Sequence, residues 1–310
     1  MLHFELAAAL GLRPGQLPEP PSRAPGRTTA WHHARVSIRL LATDLDGTLL
    51  TSRRTISERS AAAMAAAATA GIRVVWATAR AQHSVRNLAV DSGFRGYAVA
   101  ANGAVLIDLT DGEATIVDVQ AMAPDVAGTA IEQVRTLFPG TVFAVVGPTR
   151  FIADPAYAAL CVYADHHRDP LTMEMSDRTS LDDEPIVKVV ARHAHIPSVD
   201  LFRRVAQAGI SGVTPTHSGA PYVEMAAEGV SKASGLARLC DAWGIEPTEV
   251  AACGDAINDL PMLEWAGLAL CPANGSPDAL AVADHILATN DDDGVAKYLE
   301  VLVDAAGDAG

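Results

Sequence analysis

Three apolar runs, each closed by a polar or acidic loop and set a helix's length apart, constrain this chain most. VSIRLLATDLDG, beginning at Val36, is the first, and IRVVWATAR and YAVAANG follow. A continuously apolar run suits a strand covered on both faces. Between the runs, Thr55 and Glu58 have capping-box spacing ahead of an alanine-rich stretch to Ala70, and Gly71 sits where a helix would stop. AQHSVRNLAVDSG reads as a second helix. Strand–helix–strand–helix–strand predicts an α/β fold, a doubly wound parallel sheet with helices on both faces.

The rhythm changes after Asn102-Gly103. AVLIDL and ATIVDVQ flank a hairpin signal at Asp111-Gly112, and strands (TVFAVV, PIVKVVAR, YVEMAA) then mix with helices (APDVAGTAIEQVRTLF, SVDLFRRVAQAG) up to about Glu228. Doubly wound order resumes with SKASGLARLCDAWG and continues through EVAACGD, NDLPMLEWAG, LALC, SPDALAVAD, HILAT and a last helix through Lys297 and Leu302. The expected organisation is a discontinuous core, residues 36–105 and 229–304, holding an inserted α+β cap, residues 106–228. Residues 1–35, rich in Pro, Arg and Gly without periodicity, read as a disordered extension, or as sequence ahead of a true start near Val36.

Composition narrows the partners. Lys+Arg number 23 and Asp+Glu 37, a net charge of −14, and aromatics are only 5%. Nucleic acids and anionic membranes both require a basic face, so neither is an expected partner. A phosphorylated ligand needs a cation or backbone dipoles supplied locally. Four scattered cysteines (Cys161, Cys240, Cys253, Cys271) form no CxxC pair, and the N-terminal stretch lacks the features of a signal peptide. Apolar stretches are broken by Arg or Gly before membrane-spanning length. These features predict a soluble, cytoplasmic protein.

Candidate chemistry lies at strand ends. Asp44-Leu45-Asp46-Gly47-Thr48 follows the first strand, in the crevice where open α/β sheets place ligands. Two carboxylates one residue apart can divide labour as nucleophile and proton carrier, and both offer hard oxygen ligands; a turn with a capping Thr is the plainer alternative. Thr78, ending the second strand, can cradle a phosphate oxygen or be simply structural. Lys232 opens a helix, where a cation opposes the macrodipole, so it either neutralises an anion or is a solvated surface residue. Gly254-Asp255-Ala256-Ile257-Asn258-Asp259 follows another apolar strand, its acids being N-caps or the completion of a metal site.

Taken in order, DLDGT, ATAR, VSK and GDAINDLPML resemble the four motifs of the haloacid dehalogenase superfamily of phosphotransferases. The large insertion between the second and third resembles the cap of its Cof-type group, subclass IIB. AANGA, EMAAEGVSK and ATNDDDGVAKYL extend the likeness, which covers about Val36 to Val303. The resemblance implies a Rossmann-like core and a Mg²⁺-dependent phosphomonoester hydrolase of small phosphorylated metabolites, such as sugar phosphates or phosphorylated cofactors. It implies Asp44 as nucleophile and Asp46 as proton carrier. Mg²⁺ is implied on Asp44, the Asp46 carbonyl and Asp255, supported by Asn258 and Asp259, with the phosphoryl group on Thr78 and Lys232. Arg80 and Asn102 are candidate substrate contacts along the crevice.

Two positions depart from the pattern: Ala79 stands where relatives have Gly, and Ala233 where Gly is frequent after the lysine. A Gly-to-Ala exchange matters where φ is positive, so the Ala79 loop is expected to sit slightly differently. Alternatives are a hexose phosphomutase using the same Asp44, or a catalytically silent phosphometabolite-binding module. A receiver domain fits the insertion and Asp46 poorly, and an ion pump lacks its membrane spans. His193-x-His195 would share a strand face as a minor metal candidate. His166-His167 and His32-His33 read as surface or tail residues, and Cys253 as a buried strand residue.

Overall fold

A computed structural model describes residues 38–166, 170–176 and 184–307. The 1–35 extension, with His32 and His33, and the histidine at 167 lie outside the described residues.

The large sheet is built from β1 (Leu40–Thr43), β2 (Arg73–Ala77), β3 (Tyr97–Ala100), β4 (Val105–Asp108), β5 (Thr115–Val119), β12 (Val250–Cys253), β13 (Leu268–Pro272) and β14 (His285–Leu287). Their order is β14-β13-β12-β1-β2-β3-β4-β5. The pairings from β14 to β3 are parallel, and β3–β4 and β4–β5 are antiparallel. β1 is flanked by β2 on one side and β12 on the other, so the chain reverses its winding there and leaves a crevice at the strands' carboxyl ends.

The smaller sheet contains β6 (Thr141–Val146), β7 (Phe151–Ala153), β8 (Glu174–Met175), β9 (Lys188–His193), β10 (Val213–Thr216) and β11 (Val223–Ala227), ordered β10-β11-β9-β6-β7-β8. It is antiparallel except at β7–β8. The hairpin read at Asp111-Gly112 forms as β4 and β5, but it extends the large sheet instead of opening the insertion. The apolar run of β4 pairs directly back onto β3 through the Asn102-Gly103 turn, which places the pair on the sheet edge.

Helices follow the predicted rhythm: α1 (Glu58–Thr69), α2 (Gln82–Ser92), α3 (Pro124–Leu137), α4 (Ser198–Ala208), α5 (Lys232–Trp243), α6 (Leu260–Trp265), α7 (Pro277–Val282) and α8 (Gly294–Gly307). The first is capped by Ser57, whose hydroxyl accepts from the Ser60 N–H at 3.0 Å. Thr55 is instead engaged with Thr51 in the preceding turn, so its spacing to Glu58 is not a capping box. One face of the large sheet packs Leu41, Trp76 and Val105 against α1, α2 and α8, in a core that runs on to Val190 and Tyr222 of the smaller unit. On the opposite face Val75 is buried with Leu236 of α5 and Met262 of α6. A separate core of Ile131, Phe143, Leu201 and Val223 lies between the small sheet and α3 and α4. Alternation along β9 and β11 therefore turns Lys188 and Glu224 away from those helices.

Candidate active site

The turn after β1 is set by backbone demands. Asp46 (φ −76, ψ 117) and Gly47 (φ 84, ψ −6) have type II turn geometry, which requires positive φ at the second position. A Cβ at Gly47 would also lie 2.5 Å from Asp255 Oδ2, so the glycine lets the end of β12 approach the end of β1. Thr48 donates from its hydroxyl to Asp255 Oδ1 at 2.7 Å, tying the two motifs together. Nothing in the sequence patterning had marked Thr48 for this role.

Lys232 is the first residue of α5 and is completely buried. Its ammonium donates to Asp44 Oδ1 at 2.5 Å and to Asp259 Oδ1 at 2.6 Å. The helix begins with a Ser231–Ser234 capping box. The Asn102-Gly103 turn packs so tightly on this N-terminus that a Cβ at Gly103 (φ +106) would fall 1.9 Å from the Ser231 carbonyl oxygen. The cation disfavoured by the helix dipole is thus held by Asp44 at the end of β1 and by Asp259 in the turn that opens α6.

Asp44, Asp255 and Asp259 bring ligand oxygens within 4.8 Å of one another. Asp259 uses Oδ1 on Lys232 and Oδ2 on the Asp255 and Ala256 N–H groups, both at 3.0 Å, so it organises its own loop. Asp44 and Asp255 each keep one carboxylate oxygen outside the hydrogen bonds formed among the described residues. Burial pushes the Asp44 carboxyl well above its usual range; Lys232 pulls it back, and Asp259, Asp255 and Asp46 add to the rise. Asp255 is pushed up to about 6, by burial and then by Asp259. Burial opposes the Lys232 charge, but Asp259 and Asp44 outweigh it and raise its pKa. Two buried carboxylates and the half-buried Asp255 around one ammonium leave excess negative charge on hard oxygen donors, and this set fits a divalent cation.

Asp46 stands outside that triad. Arg80 Nε and Nη2 donate to its two oxygens, each at 2.6 Å, in a bidentate pair. Thr78 is buried at the end of β2, where its hydroxyl accepts from the Arg80 N–H at 3.1 Å and keeps its own proton to donate. Ala79 has no positive φ, so replacing glycine introduces no left-handed strain. Ala233 lies within α5, where it is a good helix former.

Asn258 and Asn102 are both buried and joined: Asn258 Nδ2 donates to Asn102 Oδ1 at 3.1 Å. Asn102 Nδ2 donates in turn to Glu224 Oε2 at 3.1 Å. Glu224 pairs with Lys188, whose ammonium also reaches the Ala79 carbonyl at 2.9 Å. The sequence reading did not single out Lys188 or Glu224. Their signal was present as one charge set inside each of two apolar strand runs, PIVKVVAR and YVEMAA.

The histidine readings need correction. His193 ends β9, but His195 lies beyond it in the turn, so they do not share a strand face. His193 Nδ1 accepts from the His195 and Ile196 N–H groups, which leaves Nε2 to donate to the Pro139 carbonyl at 3.1 Å. With both of its ring nitrogens engaged, His193 is a loop clamp and not half of a metal-binding pair. His166 is half-buried, stacked on Tyr222 with centroids 4.5 Å apart and bonded to the Tyr157 hydroxyl at 2.7 Å, because the Tyr163–His166 helical turn tips it between the rings. Cys253 is buried in β12, and burial pushes its thiol up.

The haloacid dehalogenase-like hydrolase family model matches residues 41–299. A chloroplastic endoribonuclease of Arabidopsis thaliana is 27% identical over 83% of this chain, which spans only 45% of that protein's length. The 5-amino-6-(5-phospho-D-ribitylamino)uracil phosphatase YcsE of Bacillus subtilis is 26% identical, over 85% of this chain and 95% of its own. Among solved structures, a HAD subclass IIB sugar phosphatase superposes with a TM-score of 0.70 at 19% identity, covering 85% of this chain and 98% of that one. At that identity the likeness is one of fold: a Rossmann-like core carrying a cap.

Proposed function

Because this chain belongs to the haloacid dehalogenase-like hydrolase family, we propose that it is a Mg²⁺-dependent phosphatase of small phosphorylated metabolites, working through a phosphorylated Asp44. One observation carries the reading: Asp44 stands at the crevice with one oxygen on Lys232, the other outside any hydrogen bond among the described residues, and Asp255 alongside. The YcsE phosphatase and the sugar phosphatase, as named, both act on small phosphorylated compounds, which supports the size class. No helix among the described residues is long and apolar enough to cross a membrane.

In this reading Asp44 Oδ2 attacks phosphorus and the bond from phosphorus to the leaving alcohol oxygen breaks. Asp46 gives that oxygen its proton. Asp46 then takes a proton from water as the water oxygen attacks phosphorus, the Asp44–phosphorus bond breaks, and inorganic phosphate leaves. Both Asp46 oxygens accept from Arg80 here, so Asp46 has to exchange Arg80 for the leaving oxygen before it can act. Lys232 and the Thr78 hydroxyl bind phosphoryl oxygens. Asp44, the Asp46 carbonyl and Asp255 would hold Mg²⁺, which supplies charge neutralisation on the phosphoryl oxygens, while Asn258 and Asp259 support the site.

The cap belongs to the same proposal. The unit carrying β6–β11 closes over the crevice and excludes water, and its side chains select the substrate. The place of β4 and β5 in the large sheet supports counting the cap from after Val119. The test is phosphate release from a panel of sugar phosphates, phosphorylated cofactors and nucleotides, with Mg²⁺ and with chelator. Mg²⁺-dependent release from some small esters is expected. Absence of release from every ester, or turnover of polymeric phosphates alone, would overturn the reading.

A further inference from the structure

Lys188 and Glu224 form an ion pair buried within strands of the cap sheet, with side-chain exposures of 8% and 1%. Burying such a pair gives up solvation that mutual attraction only partly restores, so its remaining hydrogen bonds matter. Two of those bonds leave the cap, one from each residue. Lys188 Nζ donates to the carbonyl of Ala79, between Thr78 and Arg80, at 2.9 Å. Glu224 Oε2 accepts from Asn102 Nδ2 at 3.1 Å and from the Ser218 hydroxyl at 3.3 Å.

A carboxylate can only accept, and this propagates. Facing Glu224, Asn102 must present its NH₂, which turns its Oδ1 toward Asn258. Asn258 must then present its own NH₂, at 3.1 Å, and its Oδ1 is left buried with no hydrogen-bond partner among the described residues. Asn102 is held for this exchange at φ 56, ψ 33, in the turn packed on the N-terminus that carries Lys232. One charged residue of the cap thereby fixes the orientation of two side-chain amides, the second belonging to the Asp255–Asp259 loop.

We propose that Lys188 and Glu224 are positioning residues through which the docked cap sets the Ala79 loop and the Asn258 amide in reactive geometry. Chemistry is thereby coupled to closure. The inference rests on the phosphatase reading above, deepening it by naming the contacts through which the cap acts. It differs from a purely structural tether, which would hold the units together without affecting Asn258.

The experiment uses the full chain with p-nitrophenyl phosphate and Mg²⁺. Because Glu224→Gln alone strands a buried ammonium, the Lys188→Met/Glu224→Leu double variant, which removes the acceptor of Asn102 altogether, is made beside it. In the folded variants, kcat is expected to fall at least about tenfold while KM stays within about threefold. Asn258→Ala, which is expected to slow the wild type strongly, should cost no more than about twofold in the double-variant background, since coupled residues are not additive. A spectroscopic arm uses protein labelled with ¹⁵N at asparagine, of which the chain has five. The side-chain amide signals of both Asn102 and Asn258 should shift in Glu224→Gln, while that of Asn274, bonded to the Gly47 carbonyl, should not. A kcat within twofold of wild type, a fully multiplicative effect of Asn258→Ala, or an unmoved Asn258 signal would overturn the proposal. If the wild type releases no phosphate, the phosphatase reading falls, and the amide signals alone decide whether Glu224 orients Asn258.

Discussion

Lys232 shows how much of the site resides in single residues. A fully buried ammonium at a helix N-terminus is unfavourable twice over, by desolvation and by the dipole, and it persists because Asp44 and Asp259 bracket it. Lys232→Met should lower kcat by about 10²–10³-fold. It should also destabilise the fold by about 3 kcal/mol at neutral pH, as expected when one partner of a buried pair is removed. Steady-state kinetics and denaturant melts measure the two effects. Lys232→Arg should not restore the rate, since a planar fork cannot replace a compact ammonium between two carboxylates. The sequence marked Lys232, Asp44 and Asp255 because each sits at a strand end or helix start where its charge needs explaining. Thr48, Lys188 and Glu224 carried no such mark, for their partners lie 207, 109 and 122 positions away and meet them only through tertiary packing. The bidentate hold of Arg80 on Asp46 is equally a product of folding, joining loops from two adjacent strands.

At the scale of elements, legibility followed length and periodicity. β1, β2, β3 and the helices between them were readable because apolar runs of strand length alternate with capped amphipathic segments. β7 and β8, of three and two residues, are too short for a period to develop, and β10, Val-Thr-Pro-Thr, has a proline and polar residues where β1 and β3 have an apolar run. The β4–β5 hairpin was readable as a hairpin, but its sheet was not, since pairing partners are chosen by tertiary packing. The link from β10 to β11 carries a testable group. His217 is 8% exposed; its Nδ1 accepts from the Gly219 N–H at 3.1 Å, and Nε2 lies 3.0 Å from the Ser198 hydroxyl. Burial lowers its pKa below the ordinary 6.5, against the pull of Glu224 and a backbone contact with Ala220. With the folded value depressed, the unfolded chain takes up the proton first as pH falls. The contribution to stability is therefore present above about 6.5 and lost as pH falls through the folded value. Thermal midpoints measured between pH 8 and 5 should decline below pH 6.5, and His217→Gln should flatten that part of the decline. An unchanged profile in the variant would contradict the assignment.

Across the whole molecule, two sheets of different character divide the work. The parallel sheet converges Asp44, Thr78, Lys232 and Asp255 on its carboxyl edge, from strands and helices distant in sequence. The antiparallel sheet lays Lys188 and Glu224 against the same edge. The net charge of −14, awkward for a phosphorylated ligand, is answered locally by Lys232 and by a carboxylate set suited to a divalent cation. The claim on which the account turns is that Asp44 itself receives the phosphoryl group, and mass spectrometry tests it directly. Asp46→Asn is mixed with p-nitrophenyl phosphate and Mg²⁺ and quenched in acid. That ester's leaving group needs no proton, so transfer to the enzyme should proceed while hydrolysis of the phosphoenzyme, which needs Asp46 as a base, stalls. The account predicts one phosphoryl group on the peptide containing Asp44, absent from Asp44→Asn/Asp46→Asn. Phosphate release by the wild type with no label on Asp44, or with the label on another residue, would contradict it.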